Sequence, residues 1–236
     1  MIRVENICRN VLTRMHAMDY EKNCDNSCEK LVFPNKVQAR GNIRRISEQE
    51  LRLLFIEELK ASNLDLFYSI ETPTQEKYKF GESLAEITHN KNGQSALLDM
   101  CVFTHGAKEY QRILNIEFKH KNSPIRSIGK DILKLICETQ NGAFIQLLDN
   151  TNNGTLHNKK DTGVLDKLYK SFLYYKGSWS NSSKNVCIIV LSIKEQILVY
   201  RAICSSDLNN IDSIFFRSGN CVKMRDLNGK ENWRTL

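Results

Sequence analysis

The chemistry-bearing side chains of this chain gather in one stretch, Ser95 to Asn122. It holds two apolar runs joined by a polar turn. The first, Ala96 to Thr104, is interrupted by a single acid, Asp99, and the second, Arg112 to His120, carries Glu117 and Lys119 one residue apart. Side chains alternate across a strand, so Leu114, Ile116 and Phe118 share one face while Asn115, Glu117 and Lys119 share the other. Gly106 allows a turn, and pairing of the two runs as a hairpin sets Asp99 beside Glu117 and Lys119. Charges set among Leu, Ile, Val and Phe are costly unless they are paired or bind a metal. Two adjacent acids also repel, which raises one pKa unless a cation intervenes. Carboxylate oxygens, with several waters retained, are the ligands that Mg²⁺ takes. A lysine beside such an ion can orient or deprotonate an attacking water. The plainer alternative is an exposed salt bridge on the outer face of a hairpin.

The elements that must position these groups are legible on either side. Ser47 and Glu50 form a capping box for a helix running to Ser62. Leu51, Leu54, Phe55 and Leu59 make its apolar stripe, and Glu48 and Glu58 fall inside the arc of that stripe. Glu48 in the first turn also suits the positive helix end. Glu57 and Glu58 read as solvated, though either could serve in its place. Leu64 to Thr72 reads as a strand ended by Pro73, and the polar stretch Thr74 to Gln94 reads as a loop over the site. After the hairpin, Ser127 is the expected cap of a helix reaching Asn141, with Ile128, Ile132, Leu135 and Ile136 inward and Lys130, Lys134 and Glu138 on another face. Gly142 is its expected stop. A buried strand Ala143–Leu148 follows, then a polar loop with His157, Lys159 and Lys160. An amphipathic helix Gly163–Lys176 has Lys167, Lys170 and Lys176 towards its outer side. Val186–Ile193 is apolar enough for a strand covered on both faces, and Gln196–Ile203 returns as a hairpin. Mixed strands with helices between them imply an α/β domain, a mixed central sheet flanked by helices.

The 236 residues suit one domain with a small appendage. Residues 46–236 are the expected main domain, and 1–45 an N-terminal segment packed on its core. A net charge of +7 favours a polyanionic partner. Met1 to Asn10 has no apolar run of signal-peptide type, and no stretch is long enough to span a membrane, so a cytoplasmic protein with its 8 cysteines mostly reduced is expected. Cys8, His16, Cys24 and Cys28 are of zinc-ligand type, but their spacing matches no common zinc motif, and buried or free thiols are the preferred reading. No Gly-rich nucleotide loop occurs. His89, His105, His120 and His157 read as loop or surface residues, and Trp179 and Trp233 as packing.

A helix bearing an acid, a strand, an Asp within a strand, Glu117-Phe118-Lys119 in the next strand, then a helix and a strand: this order resembles the PD-(D/E)XK nuclease superfamily. The resemblance covers about Ser47 to Leu148. It implies a restriction endonuclease-like fold and Mg²⁺-dependent hydrolysis of phosphodiester bonds, with Mn²⁺ as a substitute ion. Asp99 and Glu117 match the family's metal ligands, Lys119 its lysine, and Glu48 best matches its helix glutamate. Lys130 or Lys134 matches the further polar residue that some members carry in the following helix. The implied partner is nucleic acid, DNA in the first place, held by Lys121, Arg126, Lys159 and Lys160. The implied setting is defence against foreign DNA, and a homodimer suits cutting of both strands. The alternative is a nucleic-acid-binding or assembly module that keeps the fold without catalysis.

Overall fold

The computed structural model describes residues 2–20, 31–38, 41–62, 65–152, 154–217 and 223–236. Helix α1 (Val4–Tyr20) precedes a small hairpin of β1 (Asn35–Gln38) and β2 (Gly41–Arg44). Then come α2 (Glu48–Ala61), β3 (Phe67–Lys79), the short β4 (Thr88–His89), β5 (Gln94–His105), β6 (Tyr110–His120), α3 (Ile125–Cys137) and β7 (Asn141–Leu148). The chain finishes with α4 (Val164–Tyr175), β8 (Val186–Ser192), β9 (Ile197–Ile203), α5 (Ile211–Ile214) and β10 (Arg234–Thr235). Outside the β1–β2 hairpin, all strands join one eight-stranded sheet in the order β10-β9-β8-β7-β6-β5-β3-β4. The β6–β7 and β7–β8 pairs are parallel and the other neighbours antiparallel. The protein is therefore α/β, with a mixed sheet between helical layers.

The apolar stripes decide which helix lies where. Val4, Ile7, Val11, Leu12 and Met15 of α1 and Leu51, Leu54, Phe55 and Leu59 of α2 pack on one face with Ile116, Phe118, Ile145 and Ile189. On the other face, Ile128, Ile132, Leu135 and Ile136 of α3 and Leu165, Leu168 and Phe172 of α4 meet Phe144, Val186, Ile188 and Val190. Each such side chain contributes about 1.5–3 kcal/mol when fully buried. Covered on both faces, β7 and β8 need no polar alternation, and their sequences have almost none. Among the described residues no helix is long and apolar enough to cross a membrane.

Several elements depart from the sequence-based expectation. Strand β3 does not end at Pro73 but runs on to Lys79, so much of the expected loop is strand. Pro73 is tolerated because β4 pairs only with Tyr78 and Lys79, which leaves the outer edge of β3 open at the proline. The register shift between Pro73 and Lys77 is held by Glu138, whose carboxylate accepts the backbone N–H of Gln75 and of Glu76, each at 3.0 Å. Helix α3 starts at Ile125 after Pro124 with no side-chain cap, so Ser127 is not its N-cap, and Gly142 lies inside β7 rather than stopping the helix. Lys134 and Glu138 are buried rather than on an outer face. Lys167 is buried too, because its ammonium reaches Asn122 Oδ1 at 2.6 Å and the Ser123 carbonyl at 2.8 Å. His157, expected at the surface, is buried with Nδ1 2.7 Å from Asp166 Oδ1. Trp233 is wholly buried.

Candidate active site

The β5–β6 ladder runs from His105↔Tyr110 to Met100↔Ile116 and stops there, whereas β5 keeps pairing with β3 through Leu98 and Leu97 and, past a register shift, to Ser95 and Gln94. The two strands therefore part at Asp99. Beyond the split, β6 still presents backbone N–H groups that β5 no longer reaches, and buried donors need partners. Side chains supply them. Asp99 Oδ2 accepts the N–H of Phe118 at 2.7 Å, and Glu48 Oε1 accepts that of His120 at 3.3 Å. Glu48 can do so because it is the first residue of α2, placed by Ser47, whose hydroxyl accepts the Gln49 N–H at 3.3 Å and donates to the Glu50 carboxylate. Glu57 and Glu58, the alternatives, lie at the far end of the helix and pair with Arg14 of α1 at 2.6 and 3.0 Å.

Between these two anchored carboxylates, Glu117 and Lys119 point to the α3 side of the sheet. Lys119 Nζ lies 2.7 Å from Asp131 Oδ2, 4.0 Å from Glu48 Oε2 and 2.9 Å from the Phe118 carbonyl, to which it donates. Glu117 is wholly buried and its Oε1 is ion-paired with Lys134 Nζ, but neither of its carboxylate oxygens has a hydrogen-bond partner among the described residues. Lys134 also reaches Asp131 Oδ1 at 3.0 Å and donates to the Leu97 carbonyl at 2.8 Å. Beside Lys119 in the parallel ladder, buried Gln146 donates to the Lys121 carbonyl at 2.6 Å, and its own Oε1 has no partner among the described residues. The structure thus brings Glu48, Asp99, Glu117 and Lys119 into one cluster, and adds Asp131 and Lys134 from α3.

The electrostatics follow from burial and charge count. Within the cluster, Glu48, Asp99, Glu117 and Asp131 face the two ammonium groups of Lys119 and Lys134, so two negative charges are left over when all are ionised. Burial, then the Asp131 charge, push the Glu117 carboxyl well above the usual carboxylate range, against the pull of Lys134. Burial would raise Asp131 as well, but Lys134 and Lys119 outweigh it and hold that carboxyl low. Burial alone would lower Lys119, yet Asp131 and then Glu48 overcome it and keep the amine above its ordinary value. Glu48, with its side chain 41% exposed, is raised by partial burial and by Asp99, with Lys119 opposing.

Among the described residues no group of three or more His, Cys, Asp or Glu side chains is arranged to hold a metal ion. Two carboxylates and retained water are nevertheless a Mg²⁺ site of ordinary kind. The buried Glu117 carboxylate, with no hydrogen bond to either oxygen among the described residues, in a cluster where four carboxyl groups face two ammonium groups, fits a divalent cation. The zinc donors do not assemble among the described residues: Cys8 is buried, which pushes its thiol well up, and His16 Nδ1 is 2.7 Å from the Ile193 carbonyl oxygen. Cys24 and Cys28 lie outside the described residues.

The sequence reading missed Asp131; of the two lysines that the resemblance offered in this helix, Lys134 joins the cluster, buried rather than on a face apart from the apolar stripe. A signal for Asp131 was present: it stands three residues after Ile128, one before Ile132 and four before Leu135, within the apolar stripe of α3. No protein-family model matches this chain, and neither a curated protein nor a solved structure matches it.

Proposed function

We propose that this chain is a Mg²⁺-dependent nuclease that hydrolyses phosphodiester bonds, with DNA as its expected substrate and a restriction endonuclease-like arrangement of sheet and helices. The observation that carries the reading is the split at Asp99, where the Asp99 and Glu48 carboxylates take over the β6 N–H groups on either side of Lys119. Asp99 and Glu117 would hold the ion. When bound, it would polarise the scissile phosphate and supply positive charge to the transition state. Lys119, kept protonated by Asp131 and Glu48, serves as an ammonium donor to the water or to a phosphate oxygen. It does not serve as the base. That role falls to Glu48, whose raised, partly exposed carboxylate is better matched to accepting the water's proton. Defence against foreign DNA is the setting that the family resemblance suggests, by analogy alone.

Purified protein is expected to cleave duplex DNA when Mg²⁺ or Mn²⁺ is added. Asp99→Ala and Lys119→Ala should abolish cleavage but keep DNA binding, and Glu48→Gln should slow it about 10²–10⁴-fold. Absence of ion-dependent products from both DNA and RNA would refute the reading. One observation favours a second reading, a non-catalytic nucleic-acid-binding module: the Glu117 carboxylate is already ion-paired to Lys134. Salt-sensitive DNA binding without ion-dependent products, in wild type and variants alike, would select it.

A further inference from the structure

The Lys134 ammonium is seated as a bound cation would be. An ammonium has three N–H donors, and three oxygens surround this one: Glu117 Oε1 and Asp131 Oδ1, the latter at 3.0 Å, as ion-pair partners, and the Leu97 carbonyl at 2.8 Å as a hydrogen-bond acceptor. Two of the three are carboxylates, and the third belongs to β5 two residues before Asp99. The amine therefore lies against the same stretch of strand that carries one proposed ion ligand, and directly on the other.

Resting on the nuclease reading, we infer that Lys134 is the resident counter-ion of Glu117 in the ion-free protein, which a divalent cation must displace from that carboxylate, so that Lys134 sets how tightly the site takes its ion. Two features make the exchange feasible. Asp131 holds Lys134 through one oxygen and Lys119 through the other, at 3.0 and 2.7 Å, so Lys134 keeps a buried anionic partner after Glu117 is given up. Glu117 Oε2 has no hydrogen bond to break among the described residues. The ion-free protein is thereby spared an unpaired buried carboxylate, which is strongly destabilising. The cost appears in affinity, because a positive charge on the ligand opposes the entry of a second cation.

The test is calorimetric titration of Mn²⁺ into the ion-free full chain, alongside thermal melts with and without Mn²⁺. Lys134→Met is expected to bind Mn²⁺ at least tenfold more tightly than wild type. It is also expected to melt lower than wild type without the ion and to recover more of its stability when the ion is added. Lys134→Gln, whose amide can still donate to Glu117 but carries no charge, should also bind the ion more tightly with a smaller loss of ion-free stability. Equal or weaker Mn²⁺ binding by both variants, with wild type binding normally, overturns this inference and leaves the nuclease reading standing. No Mn²⁺ uptake by wild type or by either variant overturns both. Uptake by the variants alone supports displacement of Lys134 directly. Failure of both variants to fold even with Mn²⁺ overturns it, since Lys134 would then be a purely structural cation.

Discussion

Asp131 is the residue on which both lysines of the cluster depend. It is buried, lies 2.7 Å from Lys119 and 3.0 Å from Lys134, and is held as a carboxylate because those two amines outweigh the effect of burial. Asp131→Asn keeps the shape and removes the charge, leaving two buried ammonium groups with one anion fewer. Removing one partner of a buried ion pair costs about 3–5 kcal/mol, so the urea midpoint of the ion-free variant should fall by that amount of stability. A change within about 0.5 kcal/mol, typical of surface substitutions, would contradict the buried placement. Asp166 makes a comparable argument away from the site. Burial pushes its carboxyl up, but bonds from His157 and from the backbone N–H groups of Asn158 and Gly163 outweigh this and hold it below its ordinary value. A carboxyl depressed by folding stabilises fully above its unfolded pKa, near 3.9, and loses that contribution as pH falls through the lower folded value. Acid titration of the wild type should therefore show stability declining below about pH 4, and Asp166→Asn should flatten that limb while lowering the plateau above it.

Helix α2 illustrates how an element hands a side chain to a site. Ser47 caps it from an extended backbone conformation, and Glu48 is its first residue. Ser47→Ala should cost about 1 kcal/mol by losing the cap, measurable by denaturant unfolding. Cleavage should fall further than the stability loss explains, because fraying loosens the bond from Glu48 to the His120 N–H. This helix, the β5–β6 hairpin and β7–β8 were readable in the sequence because their apolar periodicity is local and matches their burial. The register split at Asp99 was not readable, since it depends on β5 leaving β6 while it remains paired with β3. The continuation of β3 past Pro73 was hidden for a similar reason. It depends on Glu138, a residue of the α3 C-terminus far along the chain, receiving the Gln75 and Glu76 N–H groups. Lys134 and Lys167 were misplaced because the anions and carbonyls that make their burial tolerable come from other elements. Periodicity locates a face; it does not report what waits there.

At the scale of the molecule, a net charge of +7 has to be weighed against where the cations are committed. Of the residues expected to hold a phosphate backbone, Lys121 lies 3.5 Å from Asp149 and Arg126 lies 3.1 Å from Glu82, so each must be shared with, or drawn from, an acid. Lys130 lies over the Phe80 ring at 4.6 Å. Lys159 and Lys160 are exposed on the loop before α4. These two should therefore carry a larger share of non-specific attraction than their number suggests. The double variant Lys159→Ala/Lys160→Ala is expected to bind DNA more weakly by a similar factor for every sequence tested. The slope of log K against log salt should become shallower by about 0.9 for each phosphate that the variant no longer neutralises. Its unfolding free energy should stay within about 0.5 kcal/mol of wild type, as for other surface changes, so the weaker binding cannot be assigned to misfolding. An unchanged slope with an unchanged fold would mean that the backbone runs elsewhere, and the paired cations Lys121 and Arg126 would then have to exchange their acids for phosphate. That alternative has its own signature: Glu82→Gln would release Arg126 and strengthen binding, whereas along the Lys159–Lys160 path it should do almost nothing.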